Sequence, residues 1–397
     1  MIDTRAQVRV SSERLARRPR IGLICDFVEE GWPSMDLVAD MLFEHLGNEH
    51  AATLDVSRIR PAMRRRFARL PVIGSLGVAH NGDRLCNRFF DYANALKPRL
   101  ADFDLFHLID HSYSQLLHIL PPDRTVVTCH DLDTFRPVLA PEGNPRPGWF
   151  RAMTARTLSG FRKAAHVIAV SGATRDEIVR LGLQPAEKVT VIPNGVHPSC
   201  TPVPDPHADT KLSRFLPGDS SGEHAFWLLN VGSAIPRKRL DLLLRIVATV
   251  RKQSPNARLL RVGEPLTGQQ RQLARQLDIE DAVVELGSVT RDLLAAAYRR
   301  AAMLLHTADA EGFGLPVVEA MAAGCPVIAS DLPVLREVGG DAATYCRVGD
   351  IDGWARAILE NRPALRERGF LNAARFSWSE NAAKTAQVYD AVLKHKK

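Results

Sequence analysis

Short apolar runs alternate with amphipathic segments twice along this chain, and no other feature constrains its fold as much. In the first series IGLICDF (21–27), DLFHLID (104–110), TVVTCHD (125–131) and HVIAVS (166–171) read as buried strands. KVTVIPNGV (188–196) adds another strand, ending in an Asn-Gly turn. MDLVADMLFEHL (35–46) and WFRAMTARTLSGFRKA (149–164) carry apolar residues at helical spacing. Ser171 stands where a helix cap is expected, with Gly182 as the stop. Residues 197–224 are rich in Pro, Asp, Ser and His and keep no period. The alternation then restarts. FWLLNVG (226–232), RLLRVG (258–263), AVVELG (282–287), AMLLHT (302–307) and PVIAS (326–330) read as strands, and LDLLLRIVATVRK (240–252) and TRDLLAAAYRR (290–300) as helices. Strands interleaved with helices predict parallel sheets covered on both faces. The expected architecture is therefore α/β, with two doubly wound parallel-sheet domains. Their bounds are 20–200 and 225–375, joined by a linker over 201–224 and flanked by a basic tail over 1–19 and a last helix over 376–397. Ligands of such sheets bind outside the carboxyl ends of the strands, so a cleft between the domains is the expected site.

Composition narrows the function class. A chain of 397 residues with 45% hydrophobic and 24% charged residues is built to bury cores and is not a disordered chain. No apolar run reaches the ~18 residues that span a bilayer. The basic start lacks the apolar segment of a secretory signal, and the six cysteines are scattered without a C-x-x-C pair. Reduced structural thiols in a cytoplasmic protein are the expectation. The net charge of +7 favours an anionic partner without naming it. The histidines show no H-E-x-x-H spacing, and D-x-D recurs at Asp102/Asp104, Asp131/Asp133 and Asp350/Asp352, too often to be specific. No metal site is inferred.

Three stretches could carry chemistry. In EGFGLPVVEAMAAGCPVIASD (311–331) a Gly-Phe-Gly turn precedes Pro316, a residue favoured at a helix start. The amides of Phe313, Gly314 and Leu315 would then lie at a helix N-terminus, a ready anion site, with Glu311 before the turn and Glu319 one turn in. Two carboxylates that merely favour the helix dipole fit the same stretch. In VGSAIPRKRLDLLL (231–244) Arg237, Lys238 and Arg239 meet a helix start, where the dipole repels cations; an anion such as phosphate shared between them would explain this. A solvated basic turn also fits. In the first series His130 and His111 each follow a strand, where they face a cleft or sit as ordinary loop histidines.

RIRPAMRRRFARLPVIG (58–74) holds Arg58, Arg60, Arg64, Arg65, Arg66 and Arg69, interleaved with Ile59, Met63, Phe67 and Leu70. If this is an amphipathic helix, it suits an anionic membrane surface, and Arg58, Arg60, Arg64, Arg65, Arg66 and Arg69 would be the membrane-binding residues. Nucleic acid is a second reading, weakened by the lack of stacking aromatics beyond Phe67. A basic exposed face is the third.

Taken together these stretches resemble the GT4 family of retaining glycosyltransferases, which have the GT-B fold of two Rossmann-like doubly wound parallel-sheet domains facing a central cleft. E-G-F-G-L-P-V-V-E-A-M-A-A-G-C-P-V is similar to that family's acidic motif almost position by position, VGSAIPRKR resembles its phosphate loop, and VVTCHD and VIAVSGATRDEIV resemble its first-domain strands. FSWSENAAKTAQVYDAVL (376–393) resembles the last helix, which crosses back to the first domain. The resemblance implies a hexose moved from a UDP- or GDP-sugar to an acceptor hydroxyl, without metal or cofactor. It implies that Glu319 holds the ribose hydroxyls and that Glu311 faces the sugar. Phe313, Gly314 and Leu315 would give amides to sugar or phosphate, with Gly232 and Ser233 also in the donor site. Lys238 and Arg237 would neutralise the departing diphosphate, and His130 would stand at the reacting centre. Gly31, His111 and Asp131 would lie on the acceptor side of the first domain. Ser233 departs from the family, which often has arginine there, and DFVEEGWPSMD has only Gly31 where paired glycines are usual. A lipid-linked or cell-envelope acceptor, and a place on the inner face of the membrane, follow only if 58–70 is a surface helix. A sugar phosphorylase, a nucleotide-sugar epimerase and a non-catalytic nucleotide-sugar-binding protein are the rival readings.

Overall fold

The computed structural model describes residues 17–69, 77–216, 225–360 and 365–394. They form two compact units. Unit 1 runs to Val170, resumes over Thr174–Ile192 and takes in the C-terminal segment from Trp378; unit 2 holds Ser171–Ala173 and Pro193–Ser377.

Unit 1 is a parallel sheet of six strands in the order β2-β1-β3-β4-β5-β6. The strands are β1 Arg20–Ile24, β2 Asp55–Ile59, β3 Leu105–Leu108, β4 Thr125–Cys129, β5 His166–Ala169 and β6 Val189–Val191. β3, β4 and nearly all of β5 are buried, as continuous apolar runs in a sheet covered on both faces must be. β2 lies at an edge and buries only Ile59 fully, and DVSRI has no apolar run for sequence reading to find. The helix Gly148–Phe161 packs so closely on the segment His111–His118 that a Cβ at Gly160 would lie 1.9 Å from the Ser114 carbonyl oxygen. The C-terminal helix Trp378–Lys394 belongs to this unit and buries Tyr389, whose hydroxyl is 2.6 Å from His107 Nδ1 on β3. The other His107 nitrogen is 2.7 Å from Thr128 Oγ1, so this fully buried ring is satisfied at both ends.

Unit 2 repeats the design, with strand order β12-β11-β10-β7-β8-β9. Its strands are β7 Phe226–Gly232, β8 Ala257–Gly263, β9 Val283–Glu285, β10 Met303–His306, β11 Val327–Ser330 and β12 Ala343–Cys346. Separate apolar cores fill its two faces, one around Trp227, Tyr298 and Met321, the other around Leu243, Val247 and Trp354. The stretch expected as a linker carries a helix, Pro206–Ser213. Asp205 caps it through the amides of His207 and Ala208, at 3.0 and 3.1 Å, and it buries Ala208 and Leu212 in unit 2. Its Pro- and Asp-rich composition is that of a capped helix start, and only eight residues follow. The rest of that stretch, 217–224, lies outside the described residues, as do Leu70 and the tail 1–16.

The arginine-rich segment is not a helix. Arg58 is in β2, residues 60–66 form neither helix nor strand, and Phe67–Arg69 make one 3-10 turn. Asp83 explains the turn: its carboxylate accepts from the amides of Arg66, Phe67 and Ala68 at 2.7, 2.9 and 3.0 Å. Arg58 pairs with Asp40, Arg60 with Asp36 and Asp40, and Arg64 and Arg66 with Asp91, the last bidentate at 2.6 Å. Arg65 and Arg69 are exposed. The expected amphipathic helix is therefore absent among the described residues: the chain leaves β2 just before Pro61, and Arg58, Arg60, Arg64 and Arg66 pair with aspartates of other elements. Among the described residues no helix is long and apolar enough to cross a membrane.

Candidate active site

In each unit the chemistry-bearing residues gather at the carboxyl edge of the sheet. In unit 2, β10 ends at His306 and a loop leads to the helix Leu315–Ala322. Gly314 caps that helix in the left-handed region at φ 95, and a Cβ there would lie 2.9 Å from Leu335 Cδ2. Glycine is the residue that enters so tight a turn without strain. Proline stands in the first turn, as its fixed φ favours. The N–H groups of Phe313, Gly314 and Leu315 make no hydrogen bond among the described residues. They are the open donors of a helix N-terminus. The Phe313 ring turns inward against Phe376, so only its backbone can serve a ligand.

Glu311 sits before this turn and is tightly held. Lys238 Nζ is 2.5 Å and His306 Nε2 2.9 Å from the same oxygen, Oε2, while the Gly312 amide donates to Oε1 at 3.2 Å. Burial alone would raise the Glu311 carboxyl, but Lys238, the His306 hydrogen bond and Arg237 outweigh it and hold the group well below the usual carboxylate range. Burial, with Lys238 nearby, lowers His306, so its ring is neutral and Nε2–H donates to Glu311. Glu311 is thus an ionised acceptor with no proton to give.

The three cations of the basic loop separate by task. Arg239 takes the left-handed conformation, φ 49, and turns back onto Asp241 and Asp309, each at 3.0 Å. Asp309, not a ligand, answers its charge. Arg237 reaches the Ala310 carbonyl at 3.4 Å and so lies along the same loop as Lys238 and Glu311. Gly232 ends β7 at φ 141, and a Cβ on it would lie 3.9 Å from Lys238 Cε; Ser233 follows, partly exposed.

Glu319 is 2% exposed. Tyr298 donates its hydroxyl to Oε2 at 3.0 Å and Arg291 reaches Oε1 at 3.5 Å. Burial raises this carboxyl, with Arg291 and Tyr298 opposing. Tyr298 and Arg291 carried no signal in the sequence, since both lie on a helix whose visible pattern is its apolar face. His306 did carry one: it ends a strand, the same position that singled out His130.

In unit 1, His130 follows β4 and its Nε2 donates to the Ile109 carbonyl at 2.8 Å. Burial lowers its pKa against the pull of Asp110, so it is a neutral ring. His111 lies beside it, with Nδ1 3.2 Å from Asp110 and Nε2 3.9 Å from Asp131. Asp131 also accepts from the Asp133 amide at 3.0 Å. Gly31 lies in the loop after β1, where its φ of 69 ends a turn that buries the Glu30 side chain against Arg84 and Arg88, and Arg88 also donates to Ser112 Oγ at 3.1 Å.

The sequence reading missed Asp26 and Asp110. The β1–β3 register pairs Ile24 with Leu108, so two residues on, past the strand ends, Asp26 and Asp110 stand side by side. Asp110 is bound by Ser112 and His111; although burial would raise it, their pull and that of His130 hold it at about 2. Asp26 is 3% exposed and neither of its oxygens meets a hydrogen-bond donor, so burial and the Asp110 charge push it well above the usual range. Two such carboxyls hold together by sharing a proton. Among the described residues no group of three His, Cys, Asp or Glu is arranged to hold a metal ion.

Known proteins match this arrangement along most of the chain. The model of "Glycosyl transferases group 1" matches residues 220–376, and that of "Glycosyltransferase Family 4" matches 45–199. The chain belongs to the GT4-type glycosyltransferases. This glycosyltransferase is 28% identical over 311 residues to the O-antigen chain mannosyltransferase B of Escherichia coli, covering 74% of this chain and 78% of the relative. Among solved structures, the sucrose-phosphate synthase of Thermosynechococcus elongatus superposes with a TM-score of 0.72 at 22% identity, over 95% of this chain and 100% of that one. Anabaena HepE in complex with UDP and glucose gives 0.68 at 18% identity, over 94% and 100%. At these identities the two structures show a shared fold, GT-B.

Proposed function

We propose that this glycosyltransferase moves a hexosyl group from a UDP- or GDP-sugar to a glycan hydroxyl, with retention at the anomeric carbon and without a metal ion. The observation that carries the reading is the cluster of Lys238, Glu311 and His306 beside the open amides of residues 313–315. In this reading the diphosphate lies over Gly232 and Ser233, the sugar meets Glu311 and the open amides, and the ribose hydroxyls reach Glu319. The bond from the anomeric carbon to the phosphate oxygen breaks with oxocarbenium character. Lys238, Arg237 and the helix N-terminus take up the charge that builds on the leaving diphosphate. The acceptor hydroxyl attacks from the same face, and its proton passes to the departing phosphate oxygen. Glu311, ionised and bound to Lys238, keeps that ammonium charged and in place. The sugar donor of the E. coli relative would be a mannosyl donor by its name, and the HepE complex holds UDP and glucose, so both bases belong in the test. This reading does not draw on the arginine run, whose expected helix is absent.

A screen of UDP- and GDP-hexoses, read by released UDP or GDP, tests the proposal. Slow hydrolysis of one donor is expected even without the acceptor, and the freed sugar should keep the donor's anomeric configuration. Release from no donor, or inversion, would refute it.

A further inference from the structure

Arg261 is a charged residue in the middle of a parallel sheet, and the reaction outlined above gives it no task. It lies on β8, 1% exposed, directly beside Asn230 of β7 in the strand register. Nη1 donates to Asn230 Oδ1 at 2.6 Å, and Nη2 donates to the Gly232 carbonyl at 2.8 Å and the Glu264 carbonyl at 3.0 Å. No carboxylate lies within ion-pair distance of it among the described residues. Burial pushes the guanidinium down to about 10, which leaves it charged at neutral pH. Its hydrogen-bond partners are neutral oxygens, and the carboxylates that favour its charge, Glu285 beside it in the β8–β9 register and Glu264 in the loop after β8, act from beyond ion-pair distance; a cation buried in this way is costly to keep, and an apolar side chain would fill the same strand position without that cost.

The stereochemistry of one peptide unit points to its use. The peptide bonds are trans, so the Gly232 carbonyl and the Ser233 N–H point in opposite directions. The carbonyl is drawn toward β8 by two donors, Arg261 Nη2 and the Glu264 amide at 3.2 Å. β7 and β8 are pressed together here: a Cβ at Gly263 would lie 2.3 Å from the Gly232 oxygen, so glycine is required for the contact. The Ser233 N–H is therefore turned away from β8 and makes no hydrogen bond among the described residues. The next amide, Ala234, is already taken by Glu264 Oε2 at 2.8 Å.

We propose that Arg261 is the positioning residue for the donor's diphosphate: it pins the Gly232 carbonyl inward, which aims the Ser233 N–H at a phosphate oxygen, and its buried charge, which no carboxylate pairs directly, stands behind the same loop. This rests on the reading of the chain as a nucleotide-sugar glycosyltransferase. The diphosphate then joins Glu285 and Glu264 in offsetting the buried cation. Arg261 touches no substrate atom; it acts through the Gly232–Ser233 peptide and through its field.

The test is calorimetric titration of UDP, GDP, uridine and guanosine into the wild type, Arg261→Met and Arg261→Lys, with melting curves for each. The wild type should bind one nucleoside diphosphate. Arg261→Met should lose about tenfold or more of that affinity while the matching nucleoside binds as before. In Arg261→Lys the buried ammonium, faced by Glu285 and Glu264, gives up its proton as pH rises, so diphosphate binding relative to the wild type should be stronger at pH 6 than at pH 8.5. If Arg261→Met does not fold, the Lys variant decides alone. A folded Met variant with unchanged diphosphate affinity overturns the proposal, as does an equal loss for nucleoside and diphosphate, or a Lys variant whose binding tracks the wild type across pH. A wild type that binds neither UDP nor GDP overturns the donor reading and this inference with it, which separates the two failures.

Discussion

Glu311, partly buried, and Asp26, fully buried, are carboxyls that follow the ends of parallel strands, yet their surroundings drive them in opposite directions. Glu311 faces Lys238 at 2.5 Å; Asp26 faces another carboxylate. A depressed carboxyl contributes stability above its unfolded pKa, lost as the pH falls through the folded value. Glu311→Gln should therefore destabilise the protein at pH 7 and much less near pH 3, while kcat falls about a hundredfold as Lys238 loses its anchor. A raised carboxyl behaves the other way: it adds stability at low pH, and that is lost as pH climbs from the ordinary aspartate range toward the raised value. The groups that face Asp26 are Asp110, Glu30 and Arg88, the last drawn to Glu30 at 2.6 Å. Asp26→Asn should leave stability unchanged near pH 4 and raise it by about 1–3 kcal/mol at pH 8. Denaturant unfolding at the two pH values measures both. At this scale the sequence showed which residue types stood at strand ends, and so pointed to His130, Glu311 and Lys238. It could not show that Arg239 folds back on Asp241 and Asp309, because that depends on a left-handed residue and a loop from another strand. Asp26 and Asp110 were readable by the strand-end rule, but their pairing needs the register.

Elements place these residues, and two glycines show how little slack the placement has. Gly314 starts the helix Leu315–Ala322 from a conformation that other residues enter with strain. Gly314→Ala should cost about 1–3 kcal/mol in stability and weaken donor binding more than it slows turnover, a KM-against-kcat split that steady-state kinetics reads. Gly160 serves packing alone. Gly160→Ala brings a methyl group onto the Ser114 carbonyl and should destabilise unit 1 by about 3 kcal/mol with the donor affinity of the folded fraction unchanged. Buried strands were legible because their apolar runs are unbroken. β2 was not, since DVSRI holds no apolar run, and β12, ATYC, is only four residues long with a polar residue between its buried ends. The helix expected over the arginine run failed for a related reason: a spaced apolar pattern after Pro61 satisfies a helix template, while Asp83 offers its backbone amides a turn instead.

Across the whole molecule the same α/β design is used twice, and the chain end completes the first copy. The helix Trp378–Lys394 returns to unit 1, where the Tyr389 hydroxyl satisfies a His107 ring that burial holds at about 3. Tyr389→Phe should strand one nitrogen of that ring and lower the stability of unit 1 by about 1–3 kcal/mol, seen as an earlier transition in urea with the unit 2 transition in place. The doubled alternation of apolar runs and amphipathic helices made this architecture readable from the start, whereas the helix Pro206–Ser213 was hidden in a Pro-rich stretch. In the proposed function a nucleotide-sugar donor binds unit 2, with its ribose on Glu319. The most direct measurement is the affinity of the wild type for the nucleoside diphosphate found by the donor screen, set against its 2′,3′-dideoxy form. The account predicts that the ribose form binds about tenfold or more tightly and that Glu319→Gln narrows the difference. Equal affinities for the two forms in the wild type would contradict it.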